Sequence, residues 1–200
     1  METSARLSAT LAASSINDDP LLYENPAFRR GFALLAPRGL SFDAYLYHHQ
    51  LPSLISLARA FPDTVIIADH LASPPGIGAY AGRRADGWRE WRALIADLAA
   101  CPNVVIKLGG EGMAYAGHGW DQRAVPPGSA EVADAIGDAI RHAIDLFGPD
   151  RAMFESNFPV DRASMSYAVL WNAFKRISRD YTPTERALLF EGTARRVYRL

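Results

Sequence analysis

Apolar residues follow two rhythms along this chain. Short continuous runs, such as Val65-Ile66-Ile67-Ala68 and Val104-Val105-Ile106, alternate with stretches where apolar positions return every three or four residues. Continuous runs are the mark of strands covered on both faces. The longer spacing is that of amphipathic helices, as at Leu54, Ile55, Leu57, Ala58 and Phe61. The pattern predicts strands over residues 41–47, 64–68, 104–108 and 151–154. It predicts helices over residues 26–38, 51–61, 88–100, 130–147 and 166–179, with a short last helix from Thr182. Thr182-Pro183-Thr184-Glu185 is a sound helix start, with a threonine cap and proline at the first helical position.

Alternation of this kind implies right-handed βαβ units and a parallel sheet, an α/β fold. The connections before strands are short: Phe61-Pro62-Asp63, Cys101-Pro102-Asn103 and Gly148-Pro149-Asp150. Those after strands are long, as at residues 73–87 and 109–128. One functional face and one face of tight turns is the plan of a TIM-type barrel. An open doubly wound sheet fits the same alternation, yet no strand is followed by a glycine-rich phosphate loop. Gly109-Gly110-Glu111-Gly112 comes nearest and lacks the continuation into a helix that such a loop needs.

Composition narrows the classes. The chain has 200 residues, 49% hydrophobic and 22% charged, enough for one domain with a core. A net charge of -1 gives no basic field, so nucleic acid is not an expected partner. No apolar run approaches the ~20 residues of a membrane span, and the start carries no signal-peptide core. The one cysteine, Cys101, excludes an internal disulfide and a cysteine zinc cage, and reads as a buried structural thiol. A reduced, cytoplasmic setting fits. Residues 1–25 are Ser/Ala-rich at their start and are expected to be atypical or disordered, leaving residues 26–200 as the βα domain.

Every predicted strand ends in polar residues. They are His48, His49 and Gln50; Asp69 and His70; Lys107, with Glu111 and His118 further on; and Glu155, Ser156, Asn157 and Asp161. Ser156, Asn157 and Asp161 also read simply as caps of a strand-to-helix turn. Histidines at two strand ends with a carboxylate at a third are harder to dismiss, because parallel neighbours would converge them on one mouth. Imidazole and carboxylate hold catalytic divalent metals or move protons near neutrality. His142 lies within a helix and reads as packing. Trp88, Trp91 and Trp171 do the same, while Trp120 is a candidate pocket wall.

The segments Tyr47-His48-His49-Gln50-Leu51, Ile67-Ala68-Asp69-His70-Leu71, Asn103-Val104-Val105-Ile106-Lys107-Leu108 and Met153-Phe154-Glu155-Ser156-Asn157-Phe158-Pro159-Val160-Asp161 carry a resemblance. So do Phe28-Arg29-Arg30-Gly31 and the closing Gly192-Thr193-Ala194-Arg195-Arg196-Val197-Tyr198. Together they resemble the amidohydrolase-related TIM-barrel family, which includes sugar-acid lactonases and some aromatic-acid decarboxylases. The resemblance implies a hydrolase acting on a lactone or ester of a small anionic substrate. It implies catalytic roles for His70, Asn157 and Asp161, and substrate contacts for His48, Gln50 and Lys107. His70 is also the position at which it would place a divalent metal, zinc or manganese.

Two departures stand out. Many relatives carry an aspartate where this chain has Asn157, and an amide cannot take a proton, so a base role would pass to Asp161 or another group. The family's opening His-x-His pair is also missing. By this resemblance the chain supplies strands five to eight, the C-terminal half of a barrel, and would need a partner half or a homodimer. A metal-dependent decarboxylase and a catalytically incomplete fragment or binding subunit are the rival readings.

Overall fold

The structure is a computed structural model. It describes residues 21–72 and 74–200, so the expectation for the start of the chain falls largely outside the described residues. Contacts divide the chain into two compact units: residues up to Ala68 with Ala72–Val104, and Asp69–Leu71 with Val105–Leu200.

The first unit opens with a 3-10 turn at Leu22–Glu24 and helix α1, Pro26–Phe32. Asn25 caps α1 by accepting from the Ala27 N–H at 2.8 Å, and Pro26 suits the first turn because no donor is needed there. The helix was expected to reach residue 38. It stops at Phe32 and resumes as a 3-10 turn, Ala36–Arg38, because Pro37 has no N–H to extend an α-helix. Phe28, Phe32 and Phe42 pack as a cluster with ring centroids 5.2–6.0 Å apart. Strand β1, Phe42–Ala44, pairs in parallel with β2, Ile66–Ala68, with Phe42 opposite Ile66. Between them α2, Leu51–Ala60, buries Leu51, Leu54, Leu57 and Ala58. After β2, α3, Arg84–Ala99, buries Trp91, Ile95 and Leu98. Asn103 fixes the turn before β2: its side-chain amide donates to the carbonyls of Ala58, Phe61 and Thr64, each at 3.1 Å.

The second unit carries β3, Val104–Leu108, beyond its first residue. It pairs in parallel with β4, Ala152–Phe154, with Lys107 opposite Met153. Helix α4, Ser129–Phe147, presents a buried stripe of Val132, Ile136, Ile140, Ala143 and Phe147. Helix α5, Tyr167–Ile177, is capped by Ser166 and buries Leu170, Ala173, Phe174 and Ile177. The Phe154 ring stacks on Phe174 at 4.5 Å. The expected threonine cap forms at the start of α6, Pro183–Ala187, and Glu185 completes a capping box with Thr182. A π-turn, Leu188–Gly192, leads into α7, Thr193–Tyr198. Among the described residues no helix is long and apolar enough to cross a membrane.

Candidate functional site

The second unit gathers the polar ends of two strand-derived segments. His70 follows the end of β2, and Glu155 follows the end of β4. One Glu155 carboxylate oxygen, Oε1, accepts the His70 backbone N–H at 3.0 Å and meets Nδ1 at 2.5 Å. A carboxylate only accepts, so the proton of this contact sits on Nδ1, and in the neutral ring Nε2 holds the lone pair. Next to His70, Asp69 forms an ion pair with Lys107 Nζ at 2.9 Å. Lys107 also lies 5.4 Å from the centre of the Tyr198 ring.

Asp161 is fully buried. Its Oδ1 accepts from Asn157 Nδ2 at 2.7 Å and its Oδ2 from the Gly112 N–H at 3.0 Å. The Gly112 carbonyl in turn accepts from Ser164 Oγ at 2.5 Å. The glycines after β3 make this possible. A Cβ on Gly109 would stand 2.6 Å from Glu155 Cγ, one on Gly110 2.5 Å from His70 Cβ, and one on Gly112 2.7 Å from Asp161 Cγ. The Gly109-Gly110-Glu111-Gly112 run is therefore a backbone cradle around three titratable side chains. His70 and Asn157 take left-handed φ angles of 55° and 50°. Non-glycine residues held there store local strain, and such strain gathers at functional sites.

The electrostatics follow from burial opposed by neighbours. Burial alone would lower the His70 pKa, but the Glu155 hydrogen bond and charge, helped by Asp69 and Asp161, leave it raised above 6.5. Burial raises the Asp69 carboxyl, with Lys107 opposing. Burial pushes Asp161 up to about 6, against the hydrogen bonds from Asn157 and Gly112. A buried imidazole raised above its ordinary value and a carboxyl raised to about 6 are suited to proton transfer.

The structure thus brings His70, Asn157, Asp161 and Lys107 into one unit. His48 and Gln50 belong to the first unit, in a 3-10 turn, His48–Gln50, rather than at a strand end. Gln50 Oε1 accepts the Tyr47 N–H at 3.0 Å. His48 Nε2 lies 3.2 Å from Tyr80 Oη and 3.4 Å from Glu90 Oε2. His118 is nearly buried, paired with Glu111 at 3.2 Å and stacked on Trp120 at 3.8 Å, so that tryptophan packs a histidine. Arg83 is held by Asp86 at 2.8 Å. Sequence reasoning left Glu155 without a role. Its signal was its position, a carboxylate directly after a buried apolar strand.

The metal expectation at His70 meets a poor donor set. Among the described residues no three His, Cys, Asp or Glu side chains are grouped to hold an ion. His70 Nδ1 and both Asp161 oxygens are engaged by protein groups, and a carboxylate on Nδ1 is also the usual outer partner of a histidine that binds metal through Nε2. Among the described residues these side chains do not by themselves complete a metal cage.

A sequence model of the amidohydrolase family matches residues 6–200, and the chain belongs to that family. It is 37% identical over 194 residues to the uncharacterized protein y4mH of Sinorhizobium fredii, covering 96% of this chain and 58% of that protein. It is 32% identical over 187 residues to an L-fucono-1,5-lactonase of Burkholderia ambifaria, covering 92% of this chain and 56% of the lactonase. The chain therefore spans somewhat under three-fifths of the length of these relatives. Among solved structures, an amidohydrolase from Burkholderia multivorans with bound zinc superposes with a TM-score of 0.78 at 26% identity, covering 98% of this chain and 69% of that one.

Proposed function

We propose that this chain carries the proton-transfer residues of a hydrolase that opens a lactone or ester of a small, anionic, sugar-acid-like substrate. The observation that carries the reading is the Glu155–His70 pair in the same unit as the Asp161–Asn157 pair. Similarity to L-fucono-1,5-lactonases supports the substrate class. We infer further that the strands belong to a (β/α)8 barrel, supported by parallel pairing, short connections before strands and long ones after them.

In this reading the neutral imidazole of His70 takes a proton from water as the water oxygen attacks the substrate carbonyl. Glu155 fixes the Nδ1–H tautomer and steadies the imidazolium that forms. When the ring C–O bond breaks, the imidazolium returns its proton to the departing alkoxide oxygen. Asp161 is a positioning residue. It holds the Asn157 amide by Nδ2, which directs Asn157 Oδ1 to accept an O–H of the attacking water. Lys107 meets the anionic end of the substrate.

The test is a panel of aldonolactones followed with a pH indicator, with and without added zinc or manganese. Turnover that His70→Asn reduces ~10²–10⁴-fold, the range of acid–base catalysis, supports the reading. A panel without turnover overturns it.

A further inference from the structure

His48 is a fully buried imidazole in the first unit, and its contacts settle where its proton lies. The Tyr80 hydroxyl donates to the Glu90 carboxylate. A hydroxyl has one proton, so toward His48 the same oxygen can only accept. His48 Nε2, 3.2 Å from that oxygen and 3.4 Å from Glu90 Oε2, must then be the N–H of the ring. Burial lowers the His48 pKa, with Glu90 opposing, so the ring is neutral near neutrality and Nδ1 carries a lone pair. Among the described residues that Nδ1 is buried without a hydrogen-bond partner. A buried acceptor left without a donor is destabilising, and a ligand donor would relieve it.

We propose that Tyr80 and Glu90 are positioning residues that lock His48 in its Nε2–H tautomer and so present Nδ1 as the acceptor for a hydroxyl of a polyhydroxylated ligand. The proposal rests on the sugar-acid reading for the class of ligand, while the tautomer stands on this geometry alone. Tyr80 sits in a 3-10 turn, Gly78–Tyr80, flanked by Gly78 and Gly82 with left-handed φ of 60° and 72°. Glu90 is about half exposed, so its replacement leaves the core intact.

The experiment is multiple-bond 15N–1H NMR on the full labelled chain, with wild type, Glu90→Gln and Tyr80→Phe compared. The wild type shows a single Nε2–H tautomer at His48, and both variants show a mixture. Titration with gluconate, a polyhydroxy acid that needs no turnover to bind, moves the His48 Nδ1 resonance. Hexanoate, a carboxylate without hydroxyls, leaves it in place. Glu90→Gln weakens gluconate binding about tenfold, the scale of one hydrogen bond. An Nδ1–H or doubly protonated His48 in the wild type overturns the tautomer assignment. A gluconate response no larger than that of hexanoate, or none because a resident water fills the position, overturns the ligand assignment. Failure of the catalytic reading shows itself differently, as absent lactone turnover with the Nδ1 response intact.

Discussion

Glu155 grips His70 twice, accepting its backbone N–H at 3.0 Å and meeting its ring nitrogen at 2.5 Å, across 85 residues of sequence. The backbone contact fixes where the imidazole is rooted, and the ring contact fixes how it is turned. One carboxylate therefore sets the position, the tautomer and the basicity of the same histidine.

Replacing Glu155 with Gln tests all three. The amide keeps an acceptor but removes the negative charge that raises the His70 pKa, so burial takes over and the pKa falls. A reaction that needs neutral His70 gains its activity as pH rises through that pKa. The acidic limb of kcat/KM is expected above 6.5 in the wild type and at lower pH in Glu155→Gln, with a reduced plateau. Stability runs the other way. A raised histidine pKa stabilises the fold below the unfolded value of 6.5 and loses that contribution as pH rises through the folded value. The stability gap between wild type and variant should narrow as pH rises from 6.5 through the raised His70 value. A limb that does not move removes His70 from the titrating step.

The Asp69–Lys107 ion pair predicts a cycle of substitutions. Its side chains are 13% and 19% exposed, so removing one partner strands a largely desolvated charge. Lys107→Met should cost about 3 kcal/mol in urea unfolding, the lower end for broken buried pairs. Lys107→Met with Asp69→Asn should recover most of it, because no uncompensated charge remains. A coupling energy of zero would show that solvent screens the pair.

The repeating architecture was legible because its signals are local. The apolar run Val104-Val105-Ile106 lies in a strand over Val104–Leu108, and Thr182 caps the last helix segment where the sequence places a cap. The strand expected over residues 41–47 shrinks to Phe42–Ala44, since Tyr47 and Gln50 close a 3-10 turn that apolar patterning does not register. The candidate chemistry was half legible. His70, Asn157 and Asp161 stand at strand ends and could be found there. Their contacts could not, because Glu155 and Gly112 meet them across long sequence separations with no periodicity. The glycine run after β3 lacks the continuation into a helix that a phosphate loop needs. Its purpose is steric, and that emerges only when each absent Cβ is placed against the side chain it would strike.

That steric role predicts a separation between stability and activity. Gly110 and Gly119 both take left-handed φ, 78° and 67°. Among the described residues a Cβ on Gly119 meets nothing within 4 Å, whereas one on Gly110 lies 2.5 Å from His70 Cβ and 2.9 Å from Nδ1. Each change to Ala should cost ~1–2 kcal/mol of backbone strain. Only Gly110→Ala should also displace His70 and cut kcat/KM, by tenfold or more on the scale of a misplaced catalytic group. Equal activity losses in the two variants would remove the cradle from the explanation.

Asp161 supplies the sharpest thermodynamic test. Its pKa rises from 3.8 to about 6 on folding, chiefly through burial. A raised carboxyl pKa means that the folded state holds its proton more tightly than the unfolded chain. Stability from this group is therefore greatest in acid and declines as pH rises from about 4 to about 6, a change of about 3 kcal/mol. Other carboxylates of the chain titrate over the same range, so the informative quantity is the difference between wild type and Asp161→Asn. The variant cannot ionise at this position, and its amide can still accept from the Gly112 N–H. Unfolding free energies measured at steps from pH 4 to pH 7.5 should show the wild type losing ground to the variant up to about pH 6, with a constant difference above it. A difference that stays flat across the range would mean that Asp161 ionises as an ordinary carboxylate, and its place as a buried, neutral-range titrating group would be lost.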